Sequence, residues 1–265
     1  MIKKRAVVLA AIFITAFITI GVITASGNSG PAAPRLIAHA GGVVNGLRLT
    51  NSIQALDSSY NKGFRCLELD VDWTSDGIPV FVHDWGNLNW YMNTKYSTAV
   101  PTYSDFKSRA TIMGLQFMDL GMLEEWLNKH SDAYIITDVK GDNVKLLSMI
   151  KEQYPKTYSN LIPQIYSFDE YDKVRELGYE NIILTLYKLK STEKQILDFC
   201  SKNILFGVAM DQAKASAEFV GNLSNLNIPV FAHTVNDYNE YVKLRDKGVY
   251  GVYTDYFEPN NWVEK

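Results

Sequence analysis

Six residues able to ligate a cation or move a proton fall near the carboxyl ends of four apolar runs. His39 lies near the end of Leu36–Ala40, and Glu68 and Asp70 stand two apart in Cys66–Val71. His83 closes Pro79–His83, and Asp138 and Lys140, again two apart, close Tyr134–Val139. On a strand, side chains two apart share a face. Three carboxylates brought together this way suit a hard divalent cation, Mg²⁺ or Ca²⁺, with positions left for water or substrate. Neither the cysteines nor the histidines have transition-metal spacing. A cation so held binds anionic oxygen, and phosphate is the natural group. Two histidines beside it supply a general base and a general acid. Lys140 adds positive charge against the developing phosphorane oxygens. The sum is the chemistry of phosphodiester cleavage.

Taken singly, each residue has a plainer reading. A histidine in an apolar run is commonly a hydrogen-bonded core residue, and a carboxylate at a strand end is commonly a helix cap. Their convergence carries the argument, because clustered unpaired charges cost stability and need a counter-ion.

The elements that must position these residues alternate. Further strand runs are expected at Leu161–Tyr166, Asn181–Leu186, Leu205–Met210, Pro229–Thr234 and Gly251–Thr254. Helical patterns separate them at Asn51–Asn61, Gly121–His130, Asn143–Gln153, Phe168–Glu176, Thr192–Cys200, Gln212–Leu223 and Asp237–Arg245. Asp142, Asp169 and Asn236 lie near helix starts, and Gly178 and Gly248 follow helix ends. Continuous apolar runs suit parallel strands covered on both faces. Repeated strand–helix units over this length fit an α/β fold, a (β/α)₈ TIM barrel or a doubly wound sheet. No glycine-rich phosphate fingerprint follows the first strand, which favours the barrel. Nine strand runs are one more than a barrel needs, so one is accessory. Residues 85–120 lack a clean period and read as a long functional loop.

Residues 6–25 hold no charge and follow Lys3, Lys4 and Arg5. That is enough apolar helix to span a bilayer, with the positive flank inside. The expected organisation is residues 1–30 as a signal-anchor or cleaved signal peptide and 31–265 as the barrel. The barrel then lies outside the cytoplasm, membrane-attached where the N-terminal helix is uncleaved. The 265 residues carry 26 basic and 29 acidic side chains, a net charge of −3. Without the first 30 residues the balance is 23 against 29, or −6. A mildly acidic body excludes nucleic acid as a partner. Cys66 and Cys200 form no motif.

The runs IAHAGG (37–42), TNSIQAL (50–56), CLELDVDWTSDGIPVFVHD (66–84), ITDVKGDN (136–143) and YTDY (253–256) resemble the glycerophosphodiester phosphodiesterases. That family comprises (β/α)₈ barrels within the phospholipase-C-like phosphodiesterases. The resemblance implies metal ligands at Glu68, Asp70 and Asp138, catalytic histidines at His39 and His83, and the family lysine at Lys140. It implies hydrolysis of a glycerophosphodiester, or of a phosphodiester-linked surface polymer, to an alcohol and a glycerol phosphate. Two alternatives stand beside it: a lyase releasing a cyclic phosphate, and a non-catalytic module binding glycerophosphate polymer. This chain also departs from the family pattern. Ala40 stands where an Arg is usual, Thr50 where a Glu is usual, Asp138 for a Glu, and His233 for a Trp before Thr234-Val235-Asn236. Arg48 is a candidate substitute for the lost guanidinium. Trp85, Trp90 and Tyr91 are candidates for stacking on sugar or glycerol carbons, or for packing on the rim. His130 reads as solvated surface.

Overall fold

The computed structural model describes residues 31–92, 96–109 and 114–261. The apolar segment 6–25 lies outside the described residues. Among those described, no helix is long and apolar enough to cross a membrane.

The described residues form nine strands in chain order: β1 Leu36–Ala38, β2 Cys66–Trp73, β3 Pro79–Phe81, β4 Tyr134–Val139, β5 Leu161–Ile165, β6 Ile183–Thr185, β7 Gly207–Asp211, β8 Val230–His233 and β9 Gly251–Thr254. Eight of them pair in parallel, and β1 closes the ring by pairing with both β2 and β9. The fold is a TIM barrel. The accessory strand is β3, which runs antiparallel to the end of β2 with Val71 opposite Phe81.

The barrel interior is written in steps of two. One buried cluster takes a single residue from each barrel strand: Ile37, Cys66, Ile136, Ile162, Ile183, Ala209, Phe231 and Tyr253. Two residues further along the same strands stand His39, Glu68, Asp138, Gln164, Thr185, Asp211, His233 and Asp255. Strand alternation puts both sets on the inner face, so an apolar layer underlies a polar one at the carboxyl ends. Residues of the opposite parity, such as Leu36, Leu67, Leu69, Ile135 and Val208, face the helices in the main core.

Helix ends follow the sequence closely, with small shifts. Asp142 caps Asn143–Gln153 by accepting from the Lys145 N–H. Asn236 is not a cap, because Asp237 accepts from Glu240 N and starts Tyr238–Asp246. Asp169 is the first residue of Asp169–Glu176 rather than its cap. Gln212–Leu223 divides into a 3-10 turn, Gln212–Lys214, and a helix, Ala217–Asn225, capped by Ser216. Gly178 and Gly248 follow helices at positive φ, as a C-terminal cap requires.

The described residues between 85 and 120 hold more regular structure than a loop. They contain helices Trp85–Tyr91 and Tyr103–Ser108. With Val44, Ala55, Val80 and Val82 they build a second apolar cluster around Leu88, Phe106 and Phe117. Trp85 and Tyr91 belong to that cluster. The Trp85 indole donates to Asp72 Oδ2 at 2.8 Å, and the Tyr91 hydroxyl donates to Arg48 O at 2.9 Å. These two rings pack the rim, which leaves Trp90, 51 % exposed, as the ring of the three open to solvent. His130 is half-buried rather than solvated, stacked on Trp126 with ring centroids 4.2 Å apart. Both cysteines are free and buried, and burial pushes their thiols up to about 12.

Candidate active site

The polar layer opens into a cavity of about 250 Å³ at the carboxyl ends of the strands. All six residues singled out from the sequence line it, together with Gln164, Thr185, Tyr187, His233 and Tyr253.

Glu68, Asp70 and Asp138 bring ligand oxygens within 4.8 Å of one another. Glu68 and Asp70 are buried. Glu68 Oε2 accepts the backbone N–H of Ala40 at 2.7 Å. That donor is aimed by a turn in which Ala40, Gly41 and Gly42 all have positive φ. At Gly42 a Cβ would lie 2.1 Å from Ser59 Oγ, so glycine is required there twice over. Asp70 is gripped by Asn51, whose Nδ2 donates to Oδ2 at 3.1 Å while its Oδ1 accepts the Asp70 N–H at 3.0 Å. Asp138 Oδ1 accepts the hydroxyls of Tyr166 at 2.8 Å and Tyr187 at 2.6 Å. The Lys140 ammonium lies 2.7 Å from Asp70 Oδ1 and 2.5 Å from Asp138 Oδ2. It therefore rests on two of the carboxylates while still lining the cavity.

The charges follow from these contacts. Burial and the neighbouring Asp70 push the Glu68 carboxyl well above the carboxylate range. Burial works to raise Asp138 too, but Lys140 and the two tyrosine hydroxyls hold it below the ordinary value. Three carboxylates faced by one ammonium form an oxygen donor set with excess negative charge, which fits one divalent cation.

The two imidazoles stand beside this set with ring centroids 6.3 Å apart and planes nearly perpendicular. His39 Nδ1 pairs with Asp255 Oδ1 at 2.9 Å. Asp255 is held in turn by Asn236, whose Nδ2 donates to Oδ2 at 2.7 Å and whose Oδ1 accepts the Asp255 N–H at 2.8 Å. Burial works to lower the His39 pKa, but the Asp255 bond and the charges of Glu68, Asp255 and Asp70 outweigh it and raise it to about 9. His83 Nδ1 lies 3.1 Å from Asp84 Oδ2, and Asp84 caps helix Trp85–Tyr91 through the Asn87 N–H.

Sequence reasoning assigned no part in the site to Asp255, Asn236, Asn51, Tyr166 or Tyr187. Asp255 and Asn51 lie in runs that carry the resemblance, and parity alone puts Asp255 in the polar layer two residues beyond Tyr253. Ala40 is fully buried in the left-handed region. Arg48 Nη1 reaches Asp255 Oδ2 at 3.4 Å from a half-exposed position. Thr50 is buried on Ser52 Oγ.

Residues 40–116 match the sequence model of the glycerophosphoryl diester phosphodiesterase family. The match spans less than a third of the chain and makes this segment similar to that family. Solved glycerophosphodiester phosphodiesterases share the fold at low identity. That of Thermotoga maritima is 22 % identical with a TM-score of 0.63, over 83 % of this chain and 94 % of its own. That of Parabacteroides distasonis is 18 % identical with a TM-score of 0.65, over 85 % and 94 %. An Oleispira antarctica phosphodiesterase in complex with the product sn-glycerol-3-phosphate is 18 % identical with a TM-score of 0.66, over 84 % and 94 %. No curated protein sequence matches the chain.

Proposed function

We propose that the chain is a divalent-cation-dependent phosphodiesterase acting on glycerophosphodiesters or glycerophosphate-containing surface polymers. In this reading Glu68, Asp70 and Asp138 hold the cation, His39 is the general acid and His83 the general base. The observation that carries it is the carboxylate triad with two imidazoles beside it, each oriented by its own carboxylate.

The acid and base assignments follow from proton inventory. His39, raised to about 9, is an imidazolium at neutral pH. With Nδ1 committed to Asp255, it donates its Nε2 proton to the leaving alkoxide as the P–O bond breaks. His83, with its Nδ1–H turned to Asp84, keeps the Nε2 lone pair to take a proton from the attacking hydroxyl. That hydroxyl is water for direct hydrolysis. Glu68, Asp70 and Asp138 would hold Mg²⁺ or Ca²⁺, which would supply positive charge to the phosphate. Lys140 limits repulsion between Asp70 and Asp138.

The apolar segment 6–25 after three basic residues supports an extracytoplasmic location. There, glycerophosphoryl head groups and glycerophosphate polymers are the matching substrates.

The test is release of glycerol 3-phosphate from glycerophosphocholine and glycerophosphoglycerol by the full chain. Millimolar Mg²⁺ or Ca²⁺, a chelator control and a His83→Ala variant complete it. Chelator-sensitive release absent from the variant is the expected result. Accumulation of a cyclic phosphate, followed by ³¹P NMR, would replace hydrolysis with the lyase reaction. Binding of glycerophosphate without turnover would make the chain a binding module.

A further inference from the structure

The three carboxylates do not hold both of their oxygens free for a cation. One oxygen of each is committed to a donor of the protein. Glu68 Oε2 takes the Ala40 N–H, Asp70 Oδ2 takes the Asn51 amide, and Asp138 Oδ1 takes the hydroxyls of Tyr166 and Tyr187. Glu68 Oε1, Asp70 Oδ1 and Asp138 Oδ2 remain. The Lys140 ammonium contacts the last two at once, so the free aspartate oxygens converge on one place.

The commitment is strongest at Asp138, where two donors meet a single oxygen. Tyr166 is buried, and its hydroxyl also accepts the Val139 N–H. Its own proton is therefore left for Asp138. Tyr187, 41 % exposed, supplies the second donor from the cavity mouth. The two rings meet edge to face with centroids 6.0 Å apart. The Lys188 ammonium lies 4.3 Å from the Tyr166 centroid and 5.1 Å from that of Tyr187, and it donates to Val139 O at 3.0 Å. Both rings are thus tied to the end of β4, beside the carboxylate they hold. The family pattern has Glu at this position. A carboxylate one methylene shorter has less reach, and here two hydroxyls fix which of its oxygens faces the other ligands.

A carboxylate held by one oxygen ligates through the other. Three such ligands fill half of an octahedron and leave the rest to water and substrate, the arrangement that suits Mg²⁺. Ca²⁺ takes about 6–8 oxygens at longer distances and often claims both oxygens of a carboxylate. In this site the second oxygen of each carboxylate already has a hydrogen-bond donor.

We propose that Tyr166 and Tyr187 are positioning residues that restrict Asp138 to one-oxygen ligation and so set the site to Mg²⁺ over Ca²⁺. This rests on the reading that the carboxylates hold a divalent cation. It depends neither on the substrate nor on turnover.

The experiment is calorimetric titration of the full chain with Mg²⁺ and with Ca²⁺, in the absence of substrate. Mg²⁺ is expected to bind at least about threefold tighter than Ca²⁺. Tyr187→Phe, at the more exposed of the two positions, removes one donor and should bring the two affinities to within about a factor of two. Tyr166→Phe combined with Tyr187→Phe removes both donors. Mg²⁺ affinity should then fall by about tenfold or more, the usual cost of losing the outer partners of a metal ligand. Ca²⁺ affinity should hold or rise, because the released oxygen becomes a second ligand atom. A merely structural role would weaken both cations alike. Tighter binding of Ca²⁺ than of Mg²⁺ by the wild-type chain overturns the proposal. So does an unchanged affinity ratio in a folded Tyr187→Phe chain. Binding of neither ion by the wild-type chain overturns the cation reading itself, and the tyrosines' role with it.

Discussion

His39 Nδ1 and Asp255 Oδ1 are 2.9 Å apart although 216 residues separate them in the chain. The pair exists because β9 closes onto β1, with Ile37 in register with Tyr253 and the two strands ending together. Barrel closure thus assembles the imidazole–carboxylate pair that the proposed mechanism uses as proton donor. Asn236 completes it from the turn after β8, fixing both the Asp255 side chain and its backbone.

Asp255→Asn should therefore disable His39 without removing it. The amide keeps the shape and loses the charge that holds the imidazole protonated. We expect kcat to fall by roughly 10²–10³, within the range for general acid catalysis, with KM little changed. The His39 pKa, followed by NMR, should fall from about 9 toward the ordinary value. A variant with full kcat would remove Asp255 from the mechanism.

The same pair links stability to pH. The His39 pKa is raised from 6.5 to about 9 on folding. Its contribution is therefore fully present below pH 6.5 and lost as pH rises through about 9. Urea midpoints of the wild-type chain should drop between pH 7 and 9.5, and those of His39→Gln should drop less. kcat in saturating cation should also show an alkaline fall, displaced below that window because the cation offsets the Glu68 and Asp70 charges that raise the His39 pKa.

These relationships explain what the sequence made legible and what it hid. Glu68 and Asp70, or Asp138 and Lys140, announce themselves because charges two apart in an apolar run must share the inner face. His39 and His83 stand at the ends of apolar runs. The polar residues clustered there could be read as one site because a barrel gathers strand ends. Asp255 follows an unremarkable apolar run, and its partner is visible only after the ring closes. Tyr166 and Tyr187 lie just past β5 and β6, where a tyrosine reads as packing until its hydroxyl is seen on Asp138. Nor could the sequence reveal that Trp85, Leu88, Tyr91, Phe106 and Phe117 share a second core, because the helices that carry most of them are too short to show a period.

Divalent cation should stabilise the fold through the triad. Ligand that binds only the folded state adds about 2.7 kcal/mol at a hundredfold excess over Kd. Melting temperature should accordingly rise with Mg²⁺ or Ca²⁺ and fall back with chelator. Glu68→Gln and Asp70→Asn should each abolish the rise. Cation binding should also lower the His39 pKa, because Glu68 and Asp70 are among the charges that raise it. An unchanged melting temperature across millimolar cation would remove the metal from this site.

Lys140→Met isolates what the ammonium does. Its Nζ lies within 2.7 Å of both Asp70 and Asp138, and Asp70 is buried. Removing one partner from a buried ion cluster leaves like charges facing each other, a loss of roughly 3 kcal/mol. In chelator the variant should therefore melt well below the wild-type chain. A divalent cation on the same carboxylates replaces the missing charge, so saturating Mg²⁺ or Ca²⁺ should close most of that gap. A deficit that persists in cation would mean Lys140 is needed for packing rather than charge. With stability restored, activity separates two roles. Near-normal kcat in saturating cation would confine Lys140 to holding the carboxylates. A fall of about tenfold or more would place its charge against the phosphate in the transition state.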